Sequence, residues 1–252
     1  MRQFARWLTV ASLFLLVSCI PKGTNPDDPY EAINRKTHQF NKKLDGILLK
    51  PIAVVYKVVL PKPVRASINN AYDNINMIPS VGNDLLQADW RWAIKDFWRF
   101  FFNSTFGVAG LFDIASTRFG LPPHSNDLGL TFAKWGNPSS PYIVLPLLGP
   151  STIRDAMADM FEYAIMTPYP YIKNNAILYS LLGVRYVDLR SQFLDKEALI
   201  KEALDPYSFV RDAYLQHRNY KIQLVLGKNP DDATTNANSE ADKTLGTDYV
   251  GE

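Results

Sequence analysis

Between Trp90 and Asn103, apolar and polar positions separate at helical spacing. At 3.6 residues per turn, Arg91, Lys95, Arg99, Asn103 and Asp96 gather on one arc. Trp90, Ala93, Ile94, Phe97, Trp98, Phe100 and Phe101 fill the other, and only Trp92 and Phe102 intrude on the polar side. The spacing predicts a helix with a wide aromatic face and a largely basic opposite face. That pattern suits a helix lying in a membrane interface. It suits a helix packed on a protein core nearly as well.

The same period recurs along the chain. Ile33, Thr37, Phe40 and Leu44 predict a helix over Glu31 to Leu44. Further helices are expected near Val64–Ile75 and Ser80–Gln87, in a stretch punctuated by Pro61, Pro63 and Pro79. Ile153 to Met166 sets Ile153, Ala156, Met157, Met160, Phe161 and Ala164 against Arg154, Asp155, Asp159 and Glu162. Asp195–Leu204 reads as a short helix. Asp205 then caps a longer one toward Leu226, with Pro206 at its first position, where a missing N–H is harmless.

Three apolar runs are long enough to raise the question of a membrane span. Ile47 to Leu60 is interrupted only by Lys50, Pro51 and Lys57; as a helix it reaches about 21 Å, too short to cross a bilayer upright. It is a buried or interfacial segment. Trp135 to Ile153 carries no charge over nineteen residues, but Gly136, Pro138, Pro141, Pro146, Gly149 and Pro150 forbid a continuous helix. This segment is either an apolar loop packed on the domain or one lining a cavity, since irregular backbone at membrane depth needs protein or water around it. Tyr163 to Val184 contains only Lys173 as a charge, and Pro168 and Pro170 break it. No stretch alternates over several neighbouring segments, so no sheet is expected. The predicted class is all-α.

Composition narrows the picture. Aromatics make up 13% of the 252 residues, which excludes a mostly disordered chain. A net charge of +2 gives no reason to expect nucleic acid. Arg2 and Arg6 precede eleven mostly apolar residues, Trp7 to Val17, which as a helix reach about 16 Å, half a bilayer core. The run ends in Leu16-Val17-Ser18-Cys19, which resembles a bacterial lipoprotein processing box, and Cys19 is the chain's one cysteine. Residues 1–18 are therefore read as a signal peptide and Cys19 as a lipid-modified first residue. Its removal takes two arginines and no acid, leaving 25 basic and 25 acidic groups. A cysteine bearing several acyl chains meets the two-anchor requirement for stable membrane attachment. Ile20 follows it, and by resemblance to enterobacterial lipoproteins this directs the chain to the outer membrane. Residues 19–28 form a polar tether, 29–227 the folded domain, and 228–252 a polar tail expected to be disordered.

Chemistry is harder to find. The chain has no Gly-x-Ser-x-Gly elbow, no His-Glu-x-x-His and no phosphate-cradling glycine loop. One cysteine and three histidines exclude a multi-thiolate metal site. His38, His124 and His217 stand in polar contexts and read as solvated. Asp84, Asp89 and Asp96 read as capping or solvated carboxylates. No catalytic residue, metal ligand or cofactor is expected.

The ordered motifs do carry a resemblance. Asp28-Pro29-Tyr30-Glu31 with Asn34-Arg35 is followed by Phe40-Asn41, then Pro79, Asn83, Leu86-Gln87 and Asp89. Arg99-Phe100, Asn103-Ser104, Gly107, Gly110, Asp113 and Ala115 come next. Ser139-Ser140-Pro141-Tyr142-Ile143-Val144-Leu145-Pro146 then runs into Gly149-Pro150 and Arg154-Asp155, with Asp205-Pro206-Tyr207, Arg211, Ala213 and Tyr214 last. Behind a lipoprotein box, this order resembles the MlaA (VacJ) family of outer-membrane lipoproteins that maintain lipid asymmetry. Where that family often has several glycines before the proline-rich run, this chain has Phe132-Ala133-Lys134-Trp135-Gly136-Asn137.

The resemblance implies a ring of amphipathic helices in one leaflet around a narrow polar channel. It implies passage of misplaced phospholipids to an MlaC-like periplasmic carrier and association with a trimeric porin. It makes the loop containing Trp135, Gly136, Pro138, Pro141, Pro146, Gly149 and Pro150 a channel or gating element, with Trp90, Phe97, Trp98, Phe100 and Phe101 in the membrane interface. Two other classes remain: a structural, porin-associated surface lipoprotein without lipid transport, and an acyl hydrolase. Intact-mass spectrometry of the membrane-extracted protein should find a chain beginning at an acylated Cys19; mature protein without acyl chains contradicts the anchor.

Overall fold

The structure is a computed structural model and describes residue 23 and residues 25–228. The signal peptide, Cys19, the rest of residues 19–22, residue 24 and the tail beyond Lys228 lie outside the described residues. Helix α1 (Glu31–Leu44) passes through a π turn (Asp45–Leu49) into α2 (Lys50–Val59). The long α3 (Lys62–Leu86) and α4 (Trp90–Thr105) pack side by side, followed by the short α5 (Ile114–Phe119) and α6 (Leu128–Lys134). Strands β1 (Tyr142–Leu145) and β2 (Gly149–Thr152) form a hairpin that leads into α7 (Ile153–Ile165). After a 3₁₀ turn at Tyr169–Tyr171 come α8 (Asn175–Phe193), α9 (Glu197–Glu202) and α10 (Pro206–Val225).

Most helix starts follow from local chemistry. Asp89, Asp113, Asp127, Thr152, Asn174 and Asp205 each accept a backbone N–H of the first turn they cap. Two sequence expectations need correction. The pair of helices around Pro79 is one helix, because both halves are held from outside: Asn74 donates to Ser104 Oγ (2.9 Å) and Asn83 to Glu162 Oε2 (2.8 Å). Those bonds offset the roughly 3 kcal/mol that an internal proline costs. The expectation of no sheet fails at the hairpin, where Tyr142 to Leu145 pair antiparallel with Thr152 to Gly149. Four residues of alternation are too few to read as a strand. The hairpin is completed by side chains distant in sequence: Asn34 accepts from Val144 N (2.9 Å) and donates to Tyr142 O (3.1 Å), while Asn41 donates to Leu145 O and accepts from Leu147 N (both 2.8 Å).

Two amphipathic helices, α4 and α7, are turned inside out. In α4 the buried residues are Ala93, Asp96, Arg99 and Asn103, whereas Trp90 is 64% exposed and Ile94, Phe97, Trp98 and Phe101 are exposed too. In α7, Arg154, Asp155 and Ala158 are buried while Met157, Met160, Phe161 and Ile165 face outward. The α2 region exposes Ile47, Leu48, Ile52, Val55, Val58 and Val59, settling that run as surface and not core. Among the described residues, eighteen polar or charged side chains are buried against fourteen apolar ones, the reverse of a water-soluble domain. Exposed apolar surface on this scale marks a lipid or protein interface. No described helix is long and apolar enough to cross a membrane.

Burying charge requires pairing it. Arg218 holds Asp127 with two parallel bonds (both 2.7 Å) and also reaches Asp155 (2.8 Å), which Arg154 and the Tyr214 hydroxyl share. Two cations and two anions cancel, and α6, α7 and α10 are tied at one point. Gly129 makes room for it: a Cβ there would lie 2.4 Å from both Arg218 Nη2 and Asp155 Oδ1. Burial alone would raise the Asp127 carboxyl, but the Arg218 bonds outweigh it and hold it below its ordinary value. A depressed carboxylate stabilises the fold above its unfolded pKa of about 3.9 and loses that contribution as pH falls through the folded value. Asp127→Asn should therefore cost about 3 kcal/mol at pH 7, measured by denaturant unfolding in detergent. The gap to wild type should stay level from pH 8 to 5 and close below about pH 4; a gap unchanged in acid contradicts the pairing.

Candidate functional site

The inward stripe of α4 faces a second polar stripe on α3. Asn70, Asp73, Asn74 and Met77 recur there at helical spacing, with Asn76 beside them. With Asp113 at the start of α5, Pro123 to Ser125 after it, and Arg185 from α8, these residues enclose a cavity of about 500 Å³. Except for Met77 and Pro123, every lining residue is polar or charged. A more open recess of about 380 Å³ shares Asn70 and Asp113, and is otherwise walled largely by Pro63, Ala66, Leu111, Phe112 and Ile114. A polar chamber thus adjoins an apolar one.

The cavity wall is built around Arg99 and Asp113. The Arg99 guanidinium donates to both Asp113 oxygens (3.3 Å each) and to the Leu121 carbonyl. Asn103 donates to Asp113 Oδ1 (3.0 Å) and accepts from Ala115 N (2.8 Å), while Asp113 also caps α5. Across the cavity, Arg185 donates to Asn69 (2.9 Å) and Asp73 (3.2 Å) and lies over the Tyr72 ring. Gly110 (φ +88°) lets the turn after α4 come close: a Cβ there would stand 2.6 Å from that of Asn74. Arg99 Nε and Asn74 Oδ1 are buried with no hydrogen-bond partner among the described residues.

Asp84 of α3, Asp96 of α4 and His124 meet at this wall. His124 Nδ1 lies 2.6 Å from Asp96 Oδ2, and its ring stacks on Trp92 at 4.2 Å. Asp84 accepts from Asn126 Nδ2 (2.7 Å). Burial, with the Asp96 carboxylate beside it, pushes Asp84 up to about 6 against that hydrogen bond. Both carboxylates are fully buried, so the expectation that His124, Asp84 and Asp96 are solvated or capping is wrong; Asp89 alone caps as expected. Trp92 intrudes on the polar arc because it stacks on His124 on one side and Lys95 on another.

Trp135, Gly136, Pro138, Pro141, Pro146, Gly149 and Pro150 come together in the hairpin and its approach, and none lines the cavity. This segment is stapled. Arg154 donates to the carbonyls of Asn137 (3.1 Å) and Pro138 (2.9 Å), and Trp135 Nε1 to Leu86 O (3.2 Å). Trp90, Phe97, Trp98 and Phe101 are exposed and Phe100 is half-buried on the outer face of α4. The lining residues of α3 and Arg185 are not among the site residues expected from the sequence, and Asp113 enters there only as a motif residue. The α3 residues are signalled by the run of asparagines and an aspartate from Asn69 to Asn76.

Comparison with known proteins decides the family. The sequence model of the MlaA lipoprotein family matches residues 26–221. The chain belongs to the MlaA family. Among relatives, the MlaA lipoprotein of the intermembrane phospholipid transport system of Escherichia coli K12 is 31% identical over 218 residues, covering 82% of this chain and 84% of that one. Its Haemophilus influenzae counterpart is 30% identical, covering 82% and 85%. An uncharacterized Rickettsia bellii protein is 36% identical over 197 residues, covering 78% and 77%. A solved structure, described as the structural basis for maintenance of bacterial outer membrane lipid asymmetry, matches at a TM-score of 0.69 and 31% identity, covering 77% of this chain and 98% of that one. The helical MlaA fold, with one small hairpin, is therefore the fold of this chain.

Proposed function

We propose that this lipoprotein removes mislocalised phospholipids from the outer leaflet of the outer membrane. They enter the polar cavity and leave to an MlaC-like periplasmic carrier, and a trimeric porin holds the ring in place. The inverted α4 carries the reading. Its aromatic face meets hydrocarbon while Asp96, Arg99 and Asn103 turn inward. A headgroup crossing between leaflets must not pass bare through the acyl region, where an unpaired charge is very costly. Arg99 and Arg185 suit its phosphate, Asp73 and Asp113 its cationic end, and the adjoining apolar recess an acyl chain. The cavity volume of about 500 Å³ is in the range of pockets that hold small molecules.

The acyl anchor at Cys19 places the chain on the membrane, and the ring sits in the inner leaflet facing the periplasm. Because the Trp135–Pro150 hairpin is bonded to α1 through Asn34 and Asn41 and to α7 through Arg154, any gating it performs moves with those helices. On the cavity wall His124 pairs with Asp96 and with no hydroxyl, and Ser125 Oγ accepts from Lys221 Nζ (3.2 Å), so hydrolysis is not part of the reading. Asn76 lines the cavity and makes no side-chain hydrogen bond in the described structure, so Asn76→Trp plugs it at little cost to the fold. Outer-leaflet phospholipid in cells carrying only Asn76→Trp should rise to the level of the gene deletion, with the protein still present and porin-bound. A normal outer leaflet in both the variant and the deletion contradicts transport. A rise in the deletion alone moves the route away from this cavity.

A further inference from the structure

Asp84, Asp96 and His124 come from α3, from α4 and from the segment after α5, and their donor atoms lie within 4.8 Å of one another. Both carboxylates are completely buried. Each has one oxygen engaged, Asp84 Oδ1 by Asn126 and Asp96 Oδ2 by His124. The remaining oxygens, Asp84 Oδ2 and Asp96 Oδ1, are buried with no hydrogen-bond partner among the described residues. Two adjacent buried carboxylates carry two negative charges, and the imidazole can supply at most one positive charge in return. Arg99, one turn along from Asp96, is committed to Asp113 and Leu121 and does not answer them. Buried charge in this state calls for a cation or for a shared proton.

We propose that Asp84, Asp96 and His124 form a divalent transition-metal site of the zinc class. Two carboxylate oxygens and one imidazole nitrogen are three ligands of the borderline kind that zinc takes, and water from the cavity supplies the fourth. Two carboxylates and a neutral imidazole leave the bound dication electrically neutral. Asn126, bonded to the distal oxygen of Asp84, orients that ligand in the way outer partners orient metal carboxylates. The ion's effect is mechanical. It fixes the His124 segment, one wall of the cavity, against α3 and α4, and keeps His124 stacked on Trp92. The site rests on these contacts alone and stands or falls separately from lipid transport.

The test uses the mature protein in detergent, purified without a polyhistidine tag and stripped with a chelator. Calorimetric titration with zinc chloride should show one equivalent bound. Cobalt chloride should give a visible absorption band of a low-symmetry site, with quenching of fluorescence from Trp92 as the sole tryptophan. His124→Gln should weaken zinc binding by at least about tenfold and abolish the cobalt band. Asp84→Asn, which keeps the volume and the Asn126 contact region, should do the same while thermal unfolding stays cooperative. Wild-type protein that binds neither zinc nor cobalt at concentrations up to about 1 mM, a free energy near 4 kcal/mol, overturns the site, and a shared proton then accounts for the pair. Binding undiminished in His124→Gln overturns it as well.

Discussion

A polar group at membrane depth has to find its partner inside the protein, because hydrocarbon offers none. The proposed function sets this chain under that constraint. In α4 and α7 polar side chains turn inward, and in the interior Asp127, Asp155, Arg154 and Arg218 neutralise one another while Arg99 is matched by Asp113 and the Leu121 carbonyl. The apolar stripes of α2, α4 and α7 are left outside. A water-soluble domain gains its stability from the opposite arrangement. On the proposed function, surrounding lipid supplies what an apolar core supplies elsewhere, and charge pairing supplies the specificity of the interior.

An interior built this way has a property that an apolar core lacks. Where cation and anion meet directly, as Arg218 does with Asp127 and Asp155, the helices are locked together. Where the pairing is incomplete, a polar cavity remains, with Arg99 Nε and Asn74 Oδ1 on its wall without a hydrogen-bond partner among the described residues. The same inversion that suits the outside to lipid therefore creates a sheltered polar space inside. The hairpin contributes by bonding: Asn34, Asn41 and Arg154 satisfy its backbone and join α1 to α7.

Much of this was legible in the sequence. Glu31–Leu44 and Trp90–Thr105 are helices at or near the limits their periodicity set, and Asp205 with Pro206 starts α10 as capping chemistry requires. Periodicity separates the two faces of a helix but says nothing of which face is inside, so the side of α4 that meets the cavity came from the structure. The hairpin escaped because its partners, Asn34 and Asn41, lie about a hundred residues away from it. Pro79 suggested a break that long-range hydrogen bonds prevent. Asp84, Asp96 and His124 each looked ordinary alone; only the packing of three separate segments makes them a cluster.

The central claim is the direction in which α4 faces. It is tested most directly by keeping Trp98 as the sole tryptophan and reconstituting the protein in bilayers whose acyl chains carry bromine. Trp98, exposed on the outer face, should be strongly quenched, while Trp92 as the sole tryptophan, stacked beneath His124, should be quenched far less. Equal quenching of the two, or none at Trp98, contradicts the account.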